Sequence, residues 1–263
     1  MRNMTEPLRL LQFSDTHLFA NRDGEIKGVR SFDSLSQVLA HARSRHWSAE
    51  ALLLTGDIVH DEPGGYAHVK TLFGHLGKPV YCVPGNHDDA ATMQAALGDA
   101  PFHIGGHVDL NNWRVVLLDS TVPGKAHGEL SAQELIRLDT LLATAGERHV
   151  VICLHHHPVP MASRWLDEVR LLNAADFFAI ADRSPNVRAI CWGHVHQPFD
   201  VRRKGVRLLA VPSTCAQFAP NSDQFSTDQS LPGYRRLALH DDGMIETDVV
   251  RVAIDAANLR ATG

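Results

Sequence analysis

Short apolar runs alternate with amphipathic segments along the first half of the 263-residue chain. The runs at 8–13, 51–55 and 79–83 predict buried strands, and each one ends at a polar residue or a Pro-Gly turn. Apolar residues at helical spacing predict helices over 31–45 and 66–76. Because strands joined through helices form parallel pairs with right-handed crossovers, this pattern predicts an α/β fold with a largely parallel sheet.

The second half of the chain continues this alternation and then gains a β meander. The first predicted elements are a hairpin of 108–110 and 114–119 and a helix that runs from its N-cap Ser131, with Glu134 completing a capping box, to about 145. A strand at 150–154, a helix around 173–182 and a strand at 187–192 follow. The last predicted elements are hairpin-like strands at 199–202, 206–211, 234–240 and 245–252. The polar segment 216–233 predicts a loop over a cleft. Since there is no repeat or long linker, we expect a single domain, residues 1–263, with its core at about 8–252.

Five of the predicted strands end in side chains that can bind a metal ion. These are Asp15 and His17, Asp57, Asn86 and His87, His155, and His194 and His196. Sites in open α/β sheets form beyond the carboxyl ends of the strands, where loops distant in sequence converge. Residues two apart in an extended segment point to one face, so each Asp-x-His or His-x-His pair can reach one metal centre or two adjacent ones. Imidazole, carboxylate and amide ligands suit Mn, Fe or Zn, and nothing here favours an iron–sulfur site.

Each of these elements also has an ordinary structural interpretation. An Asp at a strand end often caps a helix, and the Asn and Gly of the 84–88 loop favour a turn by themselves. Their joint occurrence at five strand ends favours a metal site. Gly56 and Gly193 fit that interpretation, because glycine lets the backbone approach a metal cluster closely.

The composition limits what the chain can bind. Its formal net charge of -5 argues against a nucleic-acid binder, which usually carries a basic surplus. A small anionic substrate is still compatible with this charge, because bound metal ions supply local positive charge. The chain contains 17 histidines, and histidine is both the commonest metal ligand and the usual proton carrier near neutral pH.

The cysteines and the N-terminus indicate where the protein works. Cys82, Cys153, Cys191 and Cys215 are scattered without a CxxC pair, and three of them lie in apolar runs, so we expect free thiols and a reducing cytoplasm. The N-terminal sequence MRNMTEPLRL has no apolar core, and no run approaches about 18 apolar residues. The sequence therefore predicts neither a signal peptide nor a membrane span.

The motif order resembles the calcineurin-like metallophosphoesterases. Their pattern is DxH, then GD, then GNH followed by D or E, then a strand-end His, then GHxH, and this chain has all five elements. The resemblance extends to the bacterial class III cyclic-nucleotide phosphodiesterases, and within them to those that act on 3′,5′-cyclic AMP. The matching segments are FSDTHLF, LLTGDIVHD, PGNHD, LLDSTVPGKAHGELS, LHHHPVP, CWGHVHQ and PSTCAQF, spread over roughly residues 8–252.

This resemblance implies a four-layer α/β/β/α sandwich with a dimetal site at the strand carboxyl ends. Carried over residue by residue, it implies that Asp15, His17 and His196 bind one metal ion, that Asn86, His155 and His194 bind the other, and that Asp57 bridges both. The expected ions are Fe, Mn or both, with Zn, Co or Mg as alternatives. In the triplet 155–157 the family pattern assigns the ligand to His155, and leaves His156 and His157 as supporting or exposed cleft residues.

The implied activity is hydrolysis of 3′,5′-cyclic AMP to 5′-AMP by a metal-bridging hydroxide. Catalytic roles fall to His87, Asp57 and Asn86, with His87 as a non-ligand proton donor that Asp88 could orient. The implied substrate-binding residues are His17, Asp57, Asn86, His87, His155 and His196. We expect a small-molecule substrate, no nucleic-acid or membrane partner, and a monomer or homodimer.

Several alternatives remain open from the sequence. The ligand set serves equally for 2′,3′-cyclic nucleotides or other phosphodiesters, and a non-catalytic metal-binding regulatory module is an alternative of another class. Trp165, Phe218 and Phe225 could stack on a purine or pack in the core. His127 and His60 could line the rim of the site or lie on the surface.

Overall fold

The structure is a computed structural model and describes residues 6–254. Its strands are β1 Leu8–Phe13, β2 Glu25–Ile26, β3 Val29–Arg30, β4 Ala51–Thr55, β5 Val80–Val83, β6 Phe102–Ile104, β7 Gly106–Leu110, β8 Trp113–Leu117, β9 His149–Cys153, β10 Val187–Trp192, β11 Phe199–Arg203, β12 Val206–Ala210, β13 Gln217–Phe218, β14 Thr227–Asp228, β15 Gly233–Leu239 and β16 Ile245–Arg251. Its helices are α1 Ser31–His46, α2 Gly65–Phe73, α3 Ala90–Leu97, α4 Ala132–Ala143, α5 Arg164–Asp167 and α6 Ala174–Ala181.

Two six-stranded sheets form the centre of the molecule. The first has the order β16-β15-β1-β4-β5-β6, and the second has the order β11-β12-β10-β9-β8-β7. In the first sheet β1, β4, β5 and β6 are parallel, while β15 and β16 add an antiparallel edge. In the second sheet β12, β10, β9 and β8 are parallel, with antiparallel strands β11 and β7 outside them. The carboxyl ends of four parallel strands therefore meet along one edge of each sheet.

Three apolar clusters separate four layers of structure. Leu10 of β1 packs with Val151 of β9 in the cluster between the two sheets. The next residue, Leu11, points to the opposite face and packs with α1 and α2. On the far side, Leu138 of α4 packs with residues of the second sheet. This arrangement, helices then two sheets then helices, confirms the predicted four-layer α/β/β/α sandwich.

Most predicted elements occur within a few residues of their predicted positions. The helix at Ala90–Leu97 and the strand at Phe102–Ile104 were not predicted, and Asp89 begins this helix by accepting a hydrogen bond from the Thr92 amide. The two predicted C-terminal hairpins occur as β11–β12 and β15–β16, and they belong to different sheets. The predicted 216–233 loop contains the short hairpin β13–β14. Within residues 6–254, no helix combines the length and apolar composition needed to cross a bilayer.

Candidate metal centre

All seven predicted ligands lie at the carboxyl ends of five parallel strands. The first sheet supplies those that follow β1, β4 and β5, and the second sheet supplies those that follow β9 and β10. Six of the seven residues are buried and Asn86 is half-buried. The site therefore lies where the carboxyl edges of the two sheets meet.

One group, called here the His17 group, consists of Asp15, His17 and His196. The Nε2 atoms of His17 and His196 are 3.1 Å apart, and His196 Nε2 lies 3.4 Å from Asp15 Oδ1. The Asp15 carboxylate also accepts the main-chain N–H of His194 at 3.0 and 3.1 Å. This contact ties the loop after β1 to the loop after β10.

The second group, called the His155 group, consists of Asn86, His155 and His194. His155 Nε2 lies 3.2 Å from Asn86 Oδ1 and 3.2 Å from His194 Nδ1. His194 faces this group with Nδ1, while its Nε2 is buried and has no hydrogen-bond partner. The atoms that meet here are two ring nitrogens and one amide oxygen.

Asp57 lies between the two groups. Its Oδ2 is 3.8 Å from His17 Nε2 and 3.4 Å from His155 Nε2. Its Oδ1 accepts the main-chain N–H of His87 at 2.9 Å, which fixes the carboxylate. Burial acts to raise the pKa of Asp57, but the neighbouring His155 outweighs burial and holds that pKa well below its usual range. Asp57 is therefore ionised.

The proton positions on the histidines show which nitrogens are available. His155 Nδ1 lies 2.8 Å from the Thr55 carbonyl oxygen, and His196 Nδ1 lies 2.7 Å from the Ala216 carbonyl oxygen. Each ring therefore donates from Nδ1 and turns its Nε2 into the site. Each of these Nε2 atoms lies 3.1 or 3.2 Å from another ring nitrogen. Lone pairs at this distance repel unless a metal ion or a proton neutralises them, so the donor set fits two metal ions.

Burial and charge set the protonation of the other rings. Burial lowers the pKa of His17 and that of His194 well below the usual value, so both rings are neutral. For His155 burial acts in the same direction, but the carboxylates of Asp57 and Asp15 outweigh it and raise the pKa to about 9. In the metal-free protein His155 therefore carries a proton that a metal ion has to displace.

Five of the seven candidate ligands have left-handed backbone conformations. The φ angles are 53° at Asp15, 45° at His17, 48° at Asp57, 67° at His194 and 48° at His196. Non-glycine residues in this region cost on the order of 1–3 kcal/mol each and concentrate at functional sites. The extended Asp-x-His and His-x-His geometry assumed from the sequence is therefore wrong, although both members of each pair still reach the site.

Two glycines allow the loops to approach one another. A Cβ on Gly56 would lie 2.3 Å from His155 Nδ1, and a Cβ on Gly193 would lie 1.9 Å from Ser14 Oγ. Both distances are far inside van der Waals contact. The close approach predicted for these positions is therefore present.

His87 lies beside the two groups and at the surface. Its side chain is 29% exposed, and its ring centroid is 5.1 Å from that of His17. Its Nδ1 is 3.1 Å from both carboxylate oxygens of Asp61. Asp61, which follows Asp57 by four residues in LLTGDIVHD, was not predicted as part of the site. The sequence signal that could have identified Asp61 is its position in LLTGDIVHD, one of the segments that match the family.

Asp88 does not orient His87, contrary to the sequence-based expectation. Its buried carboxylate accepts the main-chain N–H groups of Gly85, Ile58 and Val59 at 2.9, 3.0 and 3.1 Å, and the Tyr66 hydroxyl at 2.9 Å. Burial, with the nearby Asp57, raises the pKa of Asp88 to about 6. Asp88 thus holds together the loops after β4 and β5.

The remaining histidines of the triplet are fully buried. His156 Nδ1 lies 2.8 Å from Ser120 Oγ, and His157 stacks on His194 with centroids 5.5 Å apart. The ring of His156 is 4.8 Å from that of His194. These contacts agree with a supporting role, whereas the alternative of exposed cleft residues is wrong. His127 is half-buried, and the next residue, Gly128, lies against the His156 ring.

An aromatic cluster closes the other side of the site. Phe218 of β13 stacks on His196 with centroids 3.9 Å apart and an interplanar angle of 9°. Trp165 and Phe225 pack edge-on against Phe218 at 5.2 and 5.3 Å. One face of Phe218 is thus occupied by a candidate ligand, and Phe225 remains 45% exposed.

An open cleft of about 420 Å³ adjoins the His87 side. Its lining includes Asn86, His87, Asp61, Thr92, Thr121 and Pro123. This volume is within the range of small-molecule sites, about 300–1,000 Å³. The cleft lies beside His87 and Asn86, and the aromatic cluster of Trp165, Phe218 and Phe225 is not part of its lining.

Comparison with known families defines the class of protein. Residues 8–198 match the calcineurin-like phosphoesterase family, and the chain belongs to that family. Among characterised relatives, the chain is 41% identical over 94% of its length to the 3′,5′-cyclic adenosine monophosphate phosphodiesterase CpdA of Vibrio vulnificus (strain CMCP6), of which 90% is covered. It is 40% identical, with the same coverage of both chains, to the CpdA of Escherichia coli (strain K12).

Solved structures agree with this fold. A dimetal phosphatase from Danio rerio superimposes with a TM-score of 0.67 at 15% identity, covering 95% of this chain and 100% of that chain. The protein TT1561 of Thermus thermophilus superimposes with a TM-score of 0.59 at 14% identity, covering 94% of this chain and 100% of that chain. At these identities the structures establish the fold alone.

Proposed function

We propose that this protein is a dinuclear metallohydrolase that converts 3′,5′-cyclic AMP to 5′-AMP and so lowers cyclic AMP. The observation that carries the proposal is the convergence of ring-nitrogen lone pairs from two groups on one buried, ionised carboxylate, Asp57. It is found in a chain that is 40–41% identical over most of its length to phosphodiesterases named for this substrate.

The proposed assignment has two metal ions with one shared ligand. Asp15, His17 and His196 hold one ion, Asn86, His155 and His194 hold the other, and Asp57 contacts both. When bound, two metal ions supply a water of lowered pKa and the positive charge that neutralises phosphoryl oxygens. Fe, Mn or both are the proposed ions, with Zn, Co or Mg as alternatives, because sites of nitrogen and oxygen ligands accept several first-row metals.

Charge supports a monoanionic substrate. Two divalent ions carry about four positive charges, and the carboxylates of Asp15 and Asp57 neutralise two of them. The loaded site is therefore positive, in a chain of net charge -5. A cyclic phosphodiester carries one negative charge and is attracted to that site. We infer that it contacts His17, Asp57, Asn86, His87, His155 and His196.

His87 is the proposed proton donor. It lines the cleft next to Asn86, and its main-chain N–H is fixed by Asp57. Asp61 accepts the Nδ1 proton at 3.1 Å and leaves Nε2 for the substrate. From this position the ring can donate a hydrogen bond or a proton to the phosphate or to the departing 3′ oxygen.

The decisive experiment measures metal content and substrate preference together. Protein purified without added metal is analysed for metals, reloaded with Mn or Fe, and assayed on 3′,5′-cyclic AMP, 2′,3′-cyclic AMP and bis(p-nitrophenyl) phosphate. The proposal expects two metal ions per chain and the highest kcat/KM on 3′,5′-cyclic AMP. Preference for either other substrate would support the broader phosphodiesterase, and two bound metal ions without turnover would support the regulatory module.

Compartment and assembly are also proposals. The four cysteines of the chain are free and buried, which supports a reducing, cytoplasmic compartment. All candidate ligands come from one chain, so a monomer suffices for the site and a homodimer is compatible with it. Light scattering after gel filtration distinguishes the two states.

A further inference from the structure

His60 contacts both a candidate ligand and the candidate proton donor, and none of the roles assigned so far uses it. Its Nδ1 lies 3.2 Å from His17 Nδ1. Its ring centroid is 4.4 Å from that of His87, with an interplanar angle of 31°. The side chain is half-buried, and Phe19 packs on it at 5.0 Å.

The backbone holds His60 and His17 side by side. The loop after β1 and the loop after β4 pair through main-chain hydrogen bonds: the His17 amide donates to Asp57, the Leu18 amide to Ile58, and the His60 amide back to Leu18, at 2.9, 3.0 and 3.0 Å. Because these bonds fix both Cα positions, the contact between the two imidazoles is a defined one.

We propose that His60 is a positioning residue that orients His17 toward its metal ion and keeps His87 in place. A histidine that binds a metal through Nε2 carries its proton on Nδ1, and a fixed acceptor for that proton sets the ring orientation. For His155 and His196 the acceptor is a main-chain carbonyl oxygen. For His17 the acceptor is the Nδ1 lone pair of His60. Because this acceptor belongs to a side chain, it can be changed by mutation. The inference rests on the proposed metal site.

The same imidazole has a second, separable contact. Its packing against His87 limits the positions of a ring whose Nδ1 is held by an exposed carboxylate, that of Asp61, with a side chain 68% exposed. Displacing a catalytic group by about an ångström can lower turnover about a hundredfold. Loss of the His60 ring therefore affects turnover even where metal binding is kept.

Two substitutions separate these contacts. His60→Asn keeps an acceptor, because the Oδ1 of asparagine occupies the place of the histidine Nδ1, but it removes the ring. His60→Ala removes both. His75→Asn is the matched control, because His75 is exposed just after the end of α2, where its ring bonds to the Thr71 carbonyl oxygen. Thermal melts of all three metal-free proteins check folding.

The first readout is metal affinity, measured by competition with a chelator. We expect His60→Ala to weaken binding of one of the two ions about 10–100-fold. We expect His60→Asn to stay within about threefold of wild type, and His75→Asn to be unchanged. Equal affinity of wild type and His60→Ala, or no rescue by His60→Asn, overturns the positioning of His17. A third bound ion in the wild type that both His60 variants lose also overturns it, because His60 is then a ligand.

The second readout is kcat at saturating metal. We expect both His60 variants to lose roughly tenfold in kcat with little change in KM, less than removal of a general acid would cost. Unchanged kcat in both variants overturns the positioning of His87. Wild-type protein that holds two metal ions and does not hydrolyse cyclic AMP refutes the proposed function alone, because the metal-affinity comparison still decides on His60.

Discussion

At the scale of single residues, the site brings together polar groups that repel one another unless a bound cation lies between them. Ring nitrogens face each other at 3.1 and 3.2 Å, and one ionised carboxylate lies between the two groups. These contacts are unfavourable in the absence of positive charge. The residue-level predictions therefore concern which groups bind metal and which act on the substrate.

Replacing His87 separates catalysis from metal binding. Its side chain contacts Asp61 and His60 and lies edge-on to the His17 ring at 5.1 Å, whereas Asp57 is contacted by its main-chain N–H. We expect His87→Ala to keep two metal ions per chain and to lower kcat by about a hundredfold or more, because a positioned acid contributes about 10²–10⁴-fold. Elemental analysis and steady-state kinetics on cyclic AMP test this. Turnover equal to wild type contradicts the catalytic role.

Metal binding is expected to depend on pH through His155. Its pKa in the metal-free protein is raised from 6.5 to about 9, so a proton must leave before the metal ion binds. The apparent affinity should rise about tenfold per pH unit below about pH 9 and then level off. The same proton stabilises the metal-free fold below pH 6.5, and this stabilisation is lost as the pH rises through 9. Chelator-buffered Mn titrations and urea melts measure both effects, and an affinity independent of pH contradicts this account.

At the scale of elements, the loops after the strands are held by buried polar side chains. Asp88 joins the loop after β4 to the loop after β5 through three amides and one hydroxyl. Phe218 and Ala216, from the segment that leads into β13, hold His196 by stacking and by accepting its Nδ1 proton. The loops are thus ordered by contacts that do not include the substrate.

Replacing Asp88 with asparagine tests the first of these contacts. An amide presents N–H groups where the carboxylate accepted them, so at least one buried donor loses its partner, at a cost of about 1–3 kcal/mol. We expect Asp88→Asn to lower the free energy of unfolding by that amount and to weaken metal binding. The matched control is Asp89→Asn, because asparagine caps a helix as well as aspartate does. Equal stability of the two variants in urea melts contradicts the role of Asp88.

At the scale of the whole molecule, the two proposed metal ions would connect the two sheets. Asp15, His17 and Asp57 follow strands of the first sheet, while His155, His194 and His196 follow strands of the second. Both proposed ions have ligands from both sheets. Metal binding therefore opposes separation of the two halves of the sandwich.

Metal removal is expected to lower global stability. A ligand present at about a thousand times its Kd stabilises the folded state by about 4 kcal/mol. We expect the metal-free protein to melt several degrees below the loaded protein in differential scanning calorimetry, and Mn or Fe to restore the Tm. The Asp57→Asn variant should show little of this gain, since it loses the shared ligand. A full gain in that variant contradicts the shared role of Asp57.

The sequence predicts that the candidate ligands follow strand ends, because those ends are marked by abrupt changes from apolar to polar residues. Leu8–Phe13 followed by Asp15, and Val187–Trp192 followed by His194, need no tertiary information. The left-handed backbone at these ligands was not predictable, because Asp and His rarely adopt it without tertiary support.

The features that were not predicted from the sequence depend on the path of the loops in three dimensions. By sequence Asp88, the neighbour of His87, is the candidate to contact its ring, and only the path of two loops brings Asp61 there instead. The helix Ala90–Leu97 buries just Met93 and Leu97, so its periodicity is weak. The hairpin β13–β14 has two residues per strand within a polar segment, which is too short for an alternating pattern.

The position of β15 beside β1 has a consequence for how the protein is made. A growing chain carries every candidate ligand once His196 is complete, yet one edge of β1 stays unpaired until Gly233–Leu239 has been translated. An unpaired apolar strand edge invites aggregation. We expect a fragment ending at residue 232 to aggregate and to hold no metal, although it has all seven ligands. If that fragment is soluble and binds two ions, translation of the last hairpin is not what completes the site.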